Sequence, residues 1–252
     1  MRIFLGACVR GMALLGLLVA SAANLMAQTS DCADRRQARQ LRRARTDTAM
    51  ATSYFITPSG YALPAGQTVY STRAVIAHSV QHGLTDRWQI GGGLVPLHLL
   101  GAEGSPMWVD ARYNTHMGVS WLRASGTATV IYLLGDNAGA VAVTGGLTVG
   151  TPRYHVTAGG GAGAGVGRES VVVPVARFGA QLGLLRRVRL LGELLLVDVG
   201  NEPEGLTTAG LRANLGRFAL DFGLLALLVQ DSAGGRTAFP YAAAHFPLRR
   251  KG

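Results

Sequence analysis

The chain has 252 residues, room for one large domain or two small ones. It carries 24 Lys+Arg against 14 Asp+Glu, yet only 15% of it is charged, 48% is hydrophobic and 35 residues are glycine, which is poor in solvating charge for a soluble globular domain. The basic excess is almost all arginine, dispersed along the sequence as a genomic compositional bias would leave it. Nothing gathers it into the single stripe that nucleic-acid binding requires, and none is expected.

In chain order, the N-terminus comes first. Arg2 and Arg10 precede an apolar run from Met12 to Ala23, and "NLMAQ" offers a small residue at Ala27. This is the layout of a secretory signal peptide over 1–27, and the run is too short to span a bilayer as a helix. "LGAC" ends at Cys8, ahead of the apolar run and not after it, so it is no lipobox. Processing leaves Cys32 alone, without an intramolecular disulfide. Residues 28–50 are polar and strongly basic, an exposed periplasmic segment.

From Ser53 the pattern changes to period-2 alternation broken by Gly, Asn, Asp and Pro. In "RFALDFGLLALLVQ", Phe218, Leu220, Phe222, Leu224 and Leu228 share one face, opposite Arg217, Asp221 and Gly223. In "VPVARFGAQL", Ala176, Phe178, Ala180 and Leu182 oppose Arg177, Gly179 and Gln181. Strands are predicted near 51–57, 67–82, 87–99, 107–113, 118–133, 139–150, 154–166, 170–182, 187–199, 206–214, 217–229 and 239–247. That is about twelve, with ten as the alternative count.

Alternating all-β chains fold as soluble barrels or sandwiches with the apolar face inward, or as outer-membrane barrels with it outward. Export, strand lengths suited to a tilted crossing, and second faces of glycine and isolated charges favour a closed antiparallel transmembrane β-barrel over 51–252. With the N-terminus in the periplasm, the connections "GLTD", "NTHM", "TPR", "GLLR" and "LG" are all tight and all periplasmic. The opposite side takes "PSGYALPAG", "LGAEGSP", "GNEPEG" and "QDSAGGRTA".

Pro58, Ser59, Gly60, Leu63, Gly66 and Tyr70, followed by Gly83, Leu84, Thr85, Asp86, Gly91 and Gly93, resemble the opening of a largely uncharacterised group of outer-membrane β-barrel proteins common in Bacteroidota. "LLGELLLVD", "GLRAN", "ALDFGLL" and "FPYAAAHFPL" extend the resemblance to about residue 247. Two departures stand out: Glu193-Leu194 where the group shows Glu-Asn, and "PLRRKG" after Phe246, where many barrels end on an aromatic residue. The resemblance implies the outer membrane, its lipid and the barrel-assembly machinery as surroundings. It implies no activity.

By parity the polar faces carry Arg73, Asp110, Arg112, Arg123, Arg177, Arg187, Arg189, Glu193, Arg212, Arg217 and Asp221. A lipid-facing Arg near the midplane costs about 2–4 kcal/mol, so these belong in the lumen. They form either an ion-pair plug or a pore lining that attracts small anionic solutes. Glu193, Arg212 and Asp221 fall on successive strands. The six histidines (His78, His82, His98, His116, His155, His245) show no paired metal-ligand spacing. No GxSxG is present, and neither cofactor nor metal is expected. Ser120, Ser125 and Ser170 have no evident His and acid beside them.

"TAGGGAGAGVGRES" lacks the Lys-Ser/Thr of a phosphate loop and the helix of a dinucleotide fold. Gly159, Gly161, Gly163 and Gly165 share a face with Arg153, His155 and Thr157, which predicts a strand whose lumen face is stripped of side chains. The leading expectation is an outer-membrane barrel for small-solute passage or a structural envelope role. The alternatives are an outer-membrane enzyme acting on lipid or lipopolysaccharide, and a soluble periplasmic barrel binding an apolar ligand. Oligomeric state is not legible.

Overall fold

The computed structural model describes residues 50–74, 76–97, 104–135, 138–166, 171–199, 202–215, 218–228 and 237–248. All lie in one compact unit, Arg45–Gly252. The leader at 1–27 and all but Met50 of the basic segment 28–50 lie outside the described residues.

Twelve strands follow one another: β1 Thr68–Arg73, β2 Ala77–Gly83, β3 Trp88–Leu94, β4 Ser105–His116, β5 Leu122–Leu134, β6 Ala138–Thr151, β7 Tyr154–Val166, β8 Val172–Gly183, β9 Val188–Val199, β10 Glu202–Asn214, β11 Ala219–Leu228 and β12 Thr237–Leu248. Each pairs antiparallel with its sequence neighbours. β1 meets β12 from Thr68↔Leu248 to Arg73↔Ala243, which closes the barrel.

The barrel is inside out relative to a soluble one. Gln81, Gln89, Asp110, Arg112, Asn114, Arg177, Gln181, Glu193, Arg212 and Asp221 are buried, while Val109, Val130, Val143, Phe222 and Leu224 are each more than half exposed. Alternation along β5 shows why: Ser125 and Thr127 point in, and Val130, Tyr132 and Leu134 point out. The fold is thus of the outer-membrane β-barrel type, with apolar side chains on its outer face. At the ends of the strands bearing the tight turns, outward aromatics form a girdle. Trp88 and Tyr113 lie 4.9 Å apart, Phe218 and Phe246 5.9 Å, and Trp121 stands exposed beside them.

Three expected elements differ. Residues 51–57 are not in the wall; they fold into the lumen. The expected strand 67–82 is two strands, turning at Ala74 with φ 48°. No Gly, Asn or Pro marks that turn, because an alanine in the left-handed region makes it. The count of twelve therefore survives one loss and one gain. The long "GNEPEG" connection is only 200–201, since Glu202–Gly205 belong to β10. Tight connections at 84–87, 117–121, 152–153, 184–187 and 215–218 share one end of the barrel, as expected.

Candidate functional site: a lumen closed by its own hairpin

Residues 50–63 occupy the lumen as a small hairpin. Ser53 bridges Pro58, Tyr54 N–H donates to the Thr57 carbonyl (3.0 Å), and Ser59 N–H donates to that of Thr52 (3.0 Å). Pro58, Ser59 and Gly60 supply the turn chemistry of the return. The segment returns toward β1 at the tight-turn end, where Leu63 N–H donates to Gln89 Oε1 (3.1 Å) and Gly66 N–H to the Gly83 carbonyl (2.8 Å). Met50, Ala51, Tyr54, Phe55, Tyr61 and Leu63 are all buried. Phe55, Leu191, Tyr241 and Ala243 form an apolar cluster with Tyr54, against which Leu225 packs.

A hairpin pushed into a polar lumen must still satisfy its backbone groups. The wall's charges do this. Arg212 donates to the carbonyls of Met50, Ser53 (2.9 Å) and Tyr54 (3.1 Å). Glu193 accepts from the N–H groups of Ile56 (2.9 Å) and Thr57 (3.0 Å), and from the Thr57 hydroxyl (3.1 Å). Arg73 Nε donates to the Phe55 carbonyl (2.9 Å) and its Nη1 to Ser79 Oγ (2.9 Å); Arg177 donates to the Pro58 carbonyl (3.2 Å). Arg123 lies over the Tyr61 ring, 4.5 Å from its centroid. Tyr61 O–H donates to the Gly150 carbonyl (2.9 Å), and burial pushes its phenol up to about 12.

Of the other expected lumen residues, Asp110 pairs with Arg112 of its own strand (2.9 Å), and Arg189 donates to the Pro152 carbonyl (3.4 Å). Arg187 is exposed in the 184–187 turn, and Arg217 lies outside the described residues. Glu193, Arg212 and Asp221 do occupy successive strands, but only Arg212 and Asp221 join, through both carboxylate oxygens at 2.7 Å. Glu193 faces the hairpin instead.

Sequence reasoning missed a hydrogen-bonded chain across the closing seam. Ser71 Oγ on β1 lies 2.8 Å from His245 Nδ1 on β12, and His245 Nε2 lies 2.9 Å from Asp221 on β11. Ser71 and His245 are 174 positions apart, so only closure of the barrel unites them. The order is that of nucleophile, base and acid. Here, however, Arg212 holds both oxygens of Asp221, and Ser71 is buried. The chain ties β1, β12, β11 and β10 to the hairpin.

The glycine faces serve the same packing. A Cβ on Gly179 would fall on the Tyr54 ring, and one on Gly60 would strike Thr148. Cβ atoms on Gly146 and Gly159 would sit 3.1 Å from the Arg177 guanidinium. Along β7, Gly161 presses on the Val143 carbonyl, Gly163 has ordinary contacts, and Gly165 faces open space. Among the described residues the lumen is filled toward the tight turns and less so toward the other end. There a cavity of about 230 Å³ is lined by Leu195, Val197, Glu204, Gly205, Leu206 and Leu227. Among the described residues, no cluster of His, Cys, Asp and Glu is placed to hold a metal ion.

No protein-family model matches the chain, and no curated protein does. Among solved structures, the translocator domain of the autotransporter NalP from Neisseria meningitidis is similar, with a TM-score of 0.42 and 10% identity over 83% of this chain and 95% of that one. A likeness at that level says nothing of a shared activity.

Proposed function

We propose that this is an exported outer-membrane barrel that passes small solutes only when its N-terminal hairpin leaves the lumen. The observation that carries the proposal is the hairpin's anchorage. It is held almost wholly by polar contacts to Arg73, Arg177, Glu193 and Arg212, with a small apolar tip around Phe55. Such contacts can be exchanged for water, and the wall closes without the hairpin through β1–β12 pairing. Once vacated, the lumen presents Arg73, Arg123 and Arg177 beside the one carboxylate the hairpin releases, Glu193, while Asp110 and Asp221 stay paired, and this excess of arginine favours small anions.

Planar-bilayer recording tests this. The intact chain is silent, and deletion of residues 50–63 gives steady, anion-selective conductance with unchanged heat-modifiable mobility. A deletion variant that folds and stays silent defeats the proposal and leaves a structural role.

A further inference from the structure

The three lumen carboxylates are already spent. Asp110 accepts from Arg112 Nε, Asp221 takes Nε and Nη2 of Arg212, and Glu193 takes the hairpin's N–H groups. None is left for Arg177. Its Nη1 donates to the Pro58 carbonyl (3.2 Å), but its buried Nε and Nη2 meet no acceptor among the described residues. These two nitrogens form the flat fork that grips two oxygens at once. Arg212 shows the same fork filled, by Asp221 at 2.7 Å on each arm.

Backbone register explains where the open fork lies. One row of paired residues runs Asn114, Ser125, Gly146, Gly159 and Arg177 across β4 to β8. The Arg177 side chain lies back along this row. A Cβ on Gly159 would stand 3.1 Å from its Nε, and one on Gly146 3.1 Å from its Nη2. Any side chain at either position would crowd the fork. Further along the row, Arg112 Nη1, the Asn114 amide and Thr127 Oγ1 are buried and make no hydrogen bond among the described residues. Arg112 pairs with Thr127 in the register, and Asn114 is the next inward residue of β4. Adjacent strands are about 4.8 Å apart, so these groups lie one or two strand spacings from the end of the fork. Arg112 is also close enough to Arg177 for the two charges to repel. Two guanidiniums, an amide and a hydroxyl buried without acceptors are costly unless an anion joins them. Asn114 Oδ1 is an acceptor, which suits the O–H of hydrogen phosphate.

We propose that the closed lumen binds one inorganic phosphate between Arg177 and Arg112. The ion fills the open fork and, through Arg177 and Pro58, ties the hairpin turn to the β4–β5 wall. Its donors are buried, so it enters before the hairpin closes over it. Phosphate borne by a lipid does not reach the site, because β4 to β8 pair without a break and the donors face inward. The inference does not rest on solute passage, since the site is complete with the hairpin docked.

The test uses the full chain, refolded in detergent micelles and dialysed against radiolabelled phosphate at fixed ionic strength. Expected is saturable binding of one phosphate per chain, displaced less well by sulfate and not by chloride. Phosphate should also slow protease cleavage within 50–63, because a ligand of the docked state favours that state. Asn114→Leu with Thr127→Val, neither of which hydrogen-bonds the hairpin, should weaken binding at least about tenfold and abolish the protection. Arg177→Lys, which keeps a charge but not the fork, should do the same. Absent or non-saturable binding, or binding that both variants leave unchanged, overturns the proposal. Sulfate as effective as phosphate overturns the choice of anion, and chloride as effective as both overturns the oxyanion class. Should Arg177→Lys fail to fold, the Asn114 and Thr127 pair decides. A hairpin-deleted barrel that stays silent in planar bilayers leaves phosphate binding standing.

Discussion

Arg212 is the residue on which most of the lumen converges. It is almost wholly buried, pairs with both oxygens of Asp221, and reaches three carbonyls of the hairpin. Removing one member of such a pair strands the other's charge, at about 3–5 kcal/mol. Asp221→Asn should therefore lower the urea midpoint of the refolded barrel clearly. Arg212→Met with Asp221→Leu should recover part of the loss while still freeing the hairpin to protease. Gly179→Val is a gentler probe. Its side chain would enter the Tyr54 ring, and overpacking of this kind costs roughly 1–3 kcal/mol. The expected readout is proteolysis within 50–63, with the wall intact. Tyr61 adds a pH window. Burial raises its phenol from 10.0 to about 12, so the folded state favours the protonated form. The docking contribution is complete below pH 10 and falls away between 10 and 12, visible as protease access rising over that interval. Parity sufficed to point these arginines inward. It had no means of showing that their partners are backbone carbonyls, since carbonyls leave no mark in a sequence pattern.

At the scale of elements, legibility followed the length of the alternation. β5 to β8 run 12–14 residues and alternate with a period of two except across Gly160–Gly165 of β7, and their expected positions hold to within a few residues. In sequence the hairpin at 50–63 reads as a strand and a loop, although Pro58-Ser59-Gly60 is a turn signal and "ATSYFITPSGY" keeps no strict alternation. Its burial comes from contacts more than a hundred residues away, such as Tyr54 with Thr157, 103 positions apart. β1–β2 failed for the opposite reason: the alternation runs on through the turn, and Ala74 adopts φ 48° without a residue suited to it. Left-handed alanine costs on the order of 1 kcal/mol relative to glycine. Ala74→Gly should therefore stabilise the barrel by about 0.5–1 kcal/mol in urea unfolding, and a neutral result would show that the turn is carried by its neighbours.

For the whole molecule, the ends of the barrel differ in chemistry. The tight turns carry exposed Arg87, Arg186 and Arg187 beside exposed Leu84, Leu184 and Leu185, and the aromatic girdle lies immediately above them. Arginine heads with apolar neighbours suit a headgroup layer, where the guanidinium meets phosphate and the leucines reach the acyl boundary. The connections at the other end hold Glu103, Asp136, Glu169 and Asp231 against Arg168 and Arg236 in sequence, whereas the tight turns hold one acid, Asp86. If the tight turns lie in the periplasmic leaflet, the barrel's two ends respond differently to a reagent that does not cross the membrane. In a background with Cys8→Ala and Cys32→Ala, Leu84→Cys should resist a membrane-impermeant maleimide in intact cells and react after permeabilisation. Gly135→Cys, in the short turn at the opposite end, should react in both. The reverse pattern would invert the barrel and place the hairpin at the outer surface, where the gate would answer to external and not periplasmic ligands. Equal labelling at both sites in intact cells would deny a membrane-spanning barrel altogether.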